Sequence, residues 1–473
     1  MDAQVSGEAG FAGSAGVSGT VTVPETTGER GGHEPGDTPG AGPVRWPWPL
    51  RVAFRFAVIY CALFCALIGQ ILFAFAGVVY DLLPDQAPIW PLLRLSPLLE
   101  WVGRTVFGAE TVFRQDSGSG DQAAIWVLMF CLLVVSAVVT ALWSVLDRRR
   151  PAYPRLSAWF LTALRWCLAG QMLFYGIAKA IPTQMPPPPL SALLQPFGEM
   201  TPMSVLWLQV GSSPVYEILL GTAELLGGLL LLIPRTATLG ALLSLVSMAQ
   251  VFVLNMTFDV PVKILSFHLL VFSLILLAPQ LRRFLDFFVL ARRADPVLQP
   301  PLFAGRRANR YAAVAQALLG VWLVAGIVQI GWSSWDEFGG GVPKPPLYGL
   351  WEVTEFRVGG QPVEPLLTDG TRWRRVVVEV PGAVTLQSMD GRLVTVPATV
   401  DTTARTFAVT MPAAAPEEPP VVFAYDGPEG GRLRFDGELD GRAAVIEMRA
   451  VDPGEFRLNG PRFHWVQDYP AIS

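Results

Sequence analysis

The sequence predicts an α-helical polytopic membrane protein with about seven transmembrane helices, followed by a C-terminal extracytoplasmic antiparallel β-barrel. Three observations predict it. Over 473 residues, hydrophobic side chains make up 52% and charged ones 16%, with a positive mean hydropathy, too apolar a balance for a soluble enzyme of this length. Apolar stretches of roughly 20 residues, the length that spans a bilayer, fall near 54–80, 124–146, 157–181, 215–233, 237–256, 263–279 and 311–332. From about 345 the pattern changes to short alternating runs such as Trp373-Arg374-Arg375-Val376-Val377-Val378-Glu379-Val380, with turn signals at Asp390-Gly391, Asp426-Gly427, Asp436-Gly437 and Asp440-Gly441. Alternation with Asp-Gly turns is the mark of antiparallel hairpins. About eight strands fit in residues 345–473, enough to close a small barrel.

Arginine placement sets the expected orientation, because basic residues in short flanks stay cytoplasmic. Arg45, Arg51, Arg55, Arg148, Arg149, Arg150, Arg155, Arg235, Arg282, Arg283, Arg292, Arg293, Arg306, Arg307 and Arg310 fall on one side, against Arg94, Arg104 and Arg114 in the opposite loops before the last helix. A cytoplasmic amino terminus, an extracytoplasmic carboxyl terminus and location in the cell membrane are therefore expected. Residues 1–44, rich in Gly, Thr, Pro and Glu with Phe11 the only aromatic, are expected to be a disordered tail. They lack the basic start and apolar run of a signal peptide. Arg45-Trp46-Pro47-Trp48 with Arg51 and Arg55 predicts an interfacial anchor. The first two spans form a hairpin over 52–146, whose outer loop at 90–107 has the Trp and Leu pattern of a helix lying in the interface. Pro186-Pro187-Pro188-Pro189 starts a stiff segment over 185–211, and both outer loops are expected to wall the outer mouth. Pro234-Arg235-Thr236 and Phe258-Asp259-Val260-Pro261 read as turns between successive helices.

Seven polar residues stand out within this apolar framework. Lys179, Glu217, Glu224, Asn255, Asp259, Lys263 and His268 lie at the ends of, or inside, four apolar stretches and on one side of the membrane midplane. Ionisable groups are costly in hydrocarbon, so a cluster at common depth reads as a pocket or pathway. Only three lysines occur in the chain, at 179, 263 and 344, and two belong to this cluster. Glu217, Gly221, Glu224 and Gly228 follow a 4-3-4 spacing, which puts two carboxylates on one helix face with glycines that admit a close neighbour. Lys179, at matching depth, is the expected counter-ion of Glu217. Glu224, two turns deeper, is the expected site of a desolvated, protonated carboxyl unless a cation approaches it. Asn255, Asp259, Lys263 and His268 are expected to form the rim. A plainer account lets Lys179 and Lys263 snorkel to the headgroups and makes His268 a hydrogen-bonded packing residue.

Other chemistry is set aside by the same reading. Cys61, Cys65, Cys131 and Cys167 all lie in apolar stretches, consistent with buried thiols, and the large tail has none to build a disulfide scaffold. No paired-histidine or Cys-x-x-Cys metal spacing, P-loop, Rossmann glycine motif or Gly-x-Ser-x-Gly elbow occurs, so no metal site is expected. Histidines at 33, 268 and 464 are too scattered for a haem or zinc site, and His464 is expected to dock the tail. A net charge of -4 gives no reason to expect nucleic acid.

Residues 153–285 form a four-helix unit whose runs match a known pattern. Leu164-Arg165-Trp166-Cys167-Leu168-Ala169-Gly170, Phe174-Tyr175-Gly176-Ile177-Ala178-Lys179, Glu224-Leu225-Leu226-Gly227-Gly228-Leu229-Leu230-Leu231 and Arg235-Thr236-Ala237-Thr238-Leu239-Gly240-Ala241 resemble the DoxX family of integral membrane proteins. The match covers under a third of the chain, and the hairpin before it, the seventh helix and the barrel are additions to the family pattern. The resemblance implies a DoxX-like four-helix core and a link to membrane redox systems that handle quinones, thiols or sulfur compounds. On that basis the protein is expected to be a redox subunit whose outward pocket binds a quinone or another small amphipathic redox substrate, with Lys179, Glu217 and Glu224 handling protons and a soluble or membrane redox partner exchanging electrons. Gly349-Leu350-Trp351 resembles the start of lipocalin-like barrels, although a tryptophan plugging the barrel end accounts for it without a ligand. Two other functions fit the composition. One is a non-enzymatic envelope assembly or binding protein acting through the β domain, the other a transporter, which lacks the expected inverted repeat.

Overall fold

The computed structural model describes residues 45–84, 86–293, 301–411, 419–459 and 466–468. The expected disordered tail and the docking of His464 lie outside these residues. Among the described residues seven helices are long and apolar enough to cross a membrane, and the C-terminal region closes into a barrel, so the protein is a multi-pass membrane protein with an added β domain.

The first apolar run departs from the single helix expected over 54–80. Helix α1 (Trp48–Leu67) stops at Ile68, whose backbone leaves the helical region. Gly69 then passes so close to a remote loop that a Cβ there would lie 2.1 Å from the Pro88 carbonyl oxygen. The chain continues as α2 (Gly69–Phe73) and a tighter helical stretch, Ala74–Leu82. Inside it Gly77 adopts φ 60 against the backbone of Gly326 and the ring of Trp322, a conformation and a contact that only glycine accepts. Helix α3 (Trp90–Val102) forms where the interfacial helix was expected, and buries Leu92, Leu99 and Val102 in the bundle core while exposing Trp90, Leu98 and Trp101. Helix α4 (Ala123–Leu146) completes the hairpin by packing on α1. Of the residues expected to anchor the chain at the interface, Trp48 is exposed, whereas Arg55 is an internal clamp. Arg55 is 1% exposed and donates to the Tyr153 hydroxyl (Nη2, 2.7 Å), the Ser144 hydroxyl and the Asp147 carbonyl.

The central unit consists of α5 (Pro154–Ala180), the short α6 (Pro202–Gly211), α7 (Pro214–Leu232), α8 (Ala237–Thr257), α9 (Lys263–Leu277) and, past the turn at Pro279, α10 (Leu281–Phe284). Helices α5, α7, α8 and α9 pack in a ring in that order, α9 returning to α5. The glycine stripe makes the α5–α7 contact possible. A Cβ on Gly221 would sit 2.3 Å from the Ala180 nitrogen, and one on Gly176 2.7 Å from the Leu225 nitrogen. Helix α11 (Arg306–Phe338) has 33 residues, about 50 Å at the α-helical rise and longer than a hydrocarbon core of ~30 Å.

Nine strands follow: β1 (Gly349–Val358), β2 (Gln361–Pro362), β3 (Trp373–Val380), β4 (Ala383–Ser388), β5 (Leu393–Asp401), β6 (Thr406–Val409), β7 (Val421–Asp426), β8 (Arg432–Leu439) and β9 (Arg442–Val451). All neighbours pair antiparallel, and β1 pairs with β9 from Leu350↔Val451 to Val358↔Ala444, which closes an eight-strand barrel with β2 as a short lip on β1. Phe356, Trp373, Phe407, Phe423 and Phe435 occupy its interior, with the Phe407 and Phe435 rings stacked at 4.7 Å. Trp351 is buried and donates Nε1–H to the Leu347 carbonyl, as expected of a residue plugging the barrel end. One expected turn is not a turn. Asp436-Gly437 lies inside β8, where Gly437 makes room for Phe423, whose Cδ1 would be 2.7 Å from a Cβ.

Candidate functional site

Side chains on an α-helix lean toward its N-terminus, so those on antiparallel neighbours lean in opposite senses along the bundle. This lean decides the pairing. Lys179, in the last turn of α5, reaches back along the helix, while Glu224 on α7 reaches up to meet it, giving Nζ–Oε2 2.7 Å with both residues almost fully buried. The expectation that Lys179 pairs with Glu217 is therefore corrected. Lys179 is not level with Glu217: its backbone lies against Gly221, one turn further along α7, and from there its side chain meets Glu224. Glu224, expected to be the carboxyl without a cation, is the one that has one.

Glu217, 1% exposed, reaches past the end of α5 instead. Its Oε1 accepts the Met185 backbone N–H at 3.0 Å, and its Oε2 has no hydrogen-bond partner among the described residues. A buried carboxylate with spare capacity is costly as a bare charge. It can carry a proton.

A cavity of about 220 Å³ opens beside the ion pair. Lys179, Glu224 and Tyr175 stand at its wall together with Gln184, Ser247 and Asn255. Apart from Gln250 and Ser266 the remaining lining is apolar, mostly from α6, α7, α8, α9 and the turn at 260–262, and includes Trp207, whose indole N–H donates to the Gln184 carbonyl. Residues 185–211 thus wall the cavity as expected. The other outer loop, 90–107, does not: it packs on α1 and α4.

The four residues expected at the rim separate. Asn255 lines the cavity, and its Nδ2 bridges the Val262 carbonyl and the Ser266 hydroxyl, fixing the α8–α9 turn. Asp259 and Lys263 lie away from the lining. They form an ion pair of 2.8 Å with Asp259 84% exposed, and Lys263 also approaches Asp121 at 3.8 Å. His268 faces α1: Nδ1 lies 2.6 Å from the Ile264 carbonyl, Nε2 2.8 Å from the Tyr60 hydroxyl, and the ring stacks on Phe64 at 3.8 Å. The two helix positions differ by about 140° in direction, and only packing on the surrounding helices reveals where each one points.

Two participants carry weaker sequence signals. Tyr175 and Gln171 precede Lys179 by one and two turns on one face of α5, and Gln70 at the α1–α2 break donates to the Tyr175 hydroxyl at 2.8 Å while the Gln171 amide donates to the Gln70 carbonyl. The four-residue spacing of 171, 175 and 179 was the available clue. Asp121 accepts from the backbone N–H groups of Lys263 and Ile264 at 2.7 and 2.9 Å, so a loop carboxylate 142 positions away caps α9. No local pattern announces it. The barrel also reaches the cavity's loop: Glu379 on β3 accepts from the Ser191 hydroxyl and backbone N–H, beside a cluster of Leu190, Leu350 and Val377.

Fold and site together define a multi-pass helical membrane protein with a mainly apolar cavity, bearing one buried ion pair at its wall, inside its four-helix core and a β-barrel seated on the loop beside that cavity. The chain belongs to the family of the Bacillus subtilis (strain 168) protein named "Uncharacterized protein YwoB", with which it is 35% identical over 142 residues, 28% of this chain and 82% of that protein. No family model matches the chain. No solved structure matches it.

Proposed function

We propose that this protein is a DoxX-like membrane subunit of a quinone-linked redox system and that the Lys179 cavity binds the quinone ring. The observation that carries the reading is a mainly apolar intramembrane cavity with one buried amine at its wall. Apolar walls suit the ring, and the Lys179 ammonium suits a carbonyl oxygen as a charge-assisted donor. Glu224 holds that ammonium in place, and Tyr175 and Asn255 offer further polar contacts. Glu217, with one oxygen unpartnered among the described residues, is the carboxyl suited to accept and release protons as the quinone changes redox state. Electrons come from, or go to, a partner subunit. The arginine-rich flanks favour a cytoplasmic amino terminus in a cell-membrane protein, an orientation in which the cavity and barrel face outward.

Gentle extraction followed by mass spectrometry of the purified protein tests the reading. Co-purified quinone in the wild type, and its loss in Lys179→Met, is the expected result; a wild type free of quinone would overturn it. The alternative, an envelope protein acting through its barrel, makes the opposite prediction that a tethered 345–473 fragment rescues a deletion strain.

A further inference from the structure

At the opposite end of the four-helix unit lies a second cavity, of about 320 Å³, and its chemistry differs from the first. Half of its lining is polar, and those six residues, Ser157, Thr162, Arg165, Thr238, Gln280 and Arg283, can all donate hydrogen bonds. Arg165 lies deepest along α5. It is 5% exposed, its Nη2 donates to Gln316 on α11 at 2.6 Å, and its guanidinium carbon lies 5.9 Å from the Trp166 ring. Its Nη1 is buried with no hydrogen-bond partner among the described residues. Half-buried Arg283 donates to the Gln280 side-chain oxygen.

No ion pair among the described residues includes Arg165 or Arg283; the neighbouring Arg282 is the one that approaches Asp286. Two guanidinium groups therefore share a cavity that, among the described residues, has no carboxylate in its lining to balance them, at an end of the bundle already rich in arginine. A buried charge without a counter-charge is strongly unfavourable in a membrane. The backbone adds to the same field, because α8 begins at Ala237 and Thr238 in the cavity wall, and a helix N-terminus favours an anion.

We propose that this cavity binds a phosphate-bearing anion, with Arg165 and Arg283 taking its oxygens and the Ser157, Thr162 and Thr238 hydroxyls completing the shell. The planar fork of arginine matches phosphate oxygens in pairs, and lysine is absent from the site. The phosphate belongs either to an anionic phospholipid headgroup, as in basic pockets between transmembrane helices, or to a free ion. The site is independent of what the Lys179 cavity binds.

The test is thermal unfolding of the full chain in a neutral detergent, titrated with phosphatidylglycerol in one arm and inorganic phosphate in the other, with chloride at equal ionic strength as control. A ligand of the folded state raises the Tm in a concentration-dependent way. The expected result is a saturable rise with at least one probe, its midpoint moved about tenfold or more by Arg165→Gln or Arg283→Gln, as loss of a charge-assisted bond requires. A rise with phosphatidylglycerol alone assigns the phosphate to a lipid, and a rise with inorganic phosphate assigns it to a free ion. If Arg165→Gln fails to fold, Arg283→Gln alone must show the shift. No rise with either probe, or equal midpoints in wild type and Arg283→Gln, would overturn the proposal.

Discussion

The helical bundle and the barrel both bury charged side chains, and they satisfy them in different ways. In the barrel, Arg372 is 5% exposed and ends on main chain, donating Nε–H to the Val363 carbonyl at 3.0 Å and Nη1 to that of Trp373, while the interior beyond it is aromatic. In the bundle, Lys179 and Glu224 face a cavity, and Glu217 keeps an oxygen without a partner among the described residues. A charge that ends on carbonyls secures a loop. A buried ion pair that borders open space is where a ligand can be recognised, and Lys179 with Glu224 is such a pair, whereas Glu217 is not part of the cavity lining.

Substitutions can break or sharpen the contrast. The largest effect is expected from Phe435→Ala, which empties the stacked aromatic centre of the barrel and costs about 3–5 kcal/mol; tryptophan fluorescence during denaturation should show the barrel weakened. Lys179→Met leaves Glu224 buried without its cation and should cost about 3 kcal/mol, read as a fall in Tm in detergent. Replacing both partners, Lys179→Met with Glu224→Leu, should restore much of that loss, since it is the orphaned charge that destabilises. Gly221→Ala drives a methyl into the α5 backbone and should cost about 1–3 kcal/mol, with loss of any ligand held in the adjoining cavity. Asp259→Asn, at an exposed pair and with a residue that tolerates the left-handed backbone there, should change stability by no more than about 0.5 kcal/mol, and ligand binding should be unchanged. If Asp259→Asn impairs binding as much as Lys179→Met does, the separation of cavity from rim is wrong.

Much of the architecture was legible because it depends on short-range pattern. Apolar run length located α4, α5, α7, α8 and α9 to within a few residues, and Gly349-Leu350-Trp351 marked the first residues of β1. What escaped depends on partners distant in sequence. The break at Gly69 needs the carbonyl of Pro88, and Arg55 becomes a clamp because Tyr153, 98 positions on, comes to meet it. Asp436-Gly437 resembles a turn until Phe423 is seen to require the glycine. In the site, the glycine stripe was readable from spacing, whereas the choice of Glu224 over Glu217 needed the opposed lean of side chains on α5 and α7. His268 has apolar neighbours in sequence, and only the fold shows that its face meets Tyr60 and Phe64 rather than the cavity.

Photo-crosslinking with an azido-quinone tests the central claim most directly. The account predicts label on peptides that line the Lys179 cavity, in particular those carrying Met185, Met203 and Trp207, competed by unlabelled quinone and lost in Lys179→Met. Label confined to the barrel, or cavity labelling that Lys179→Met leaves unchanged, would contradict it.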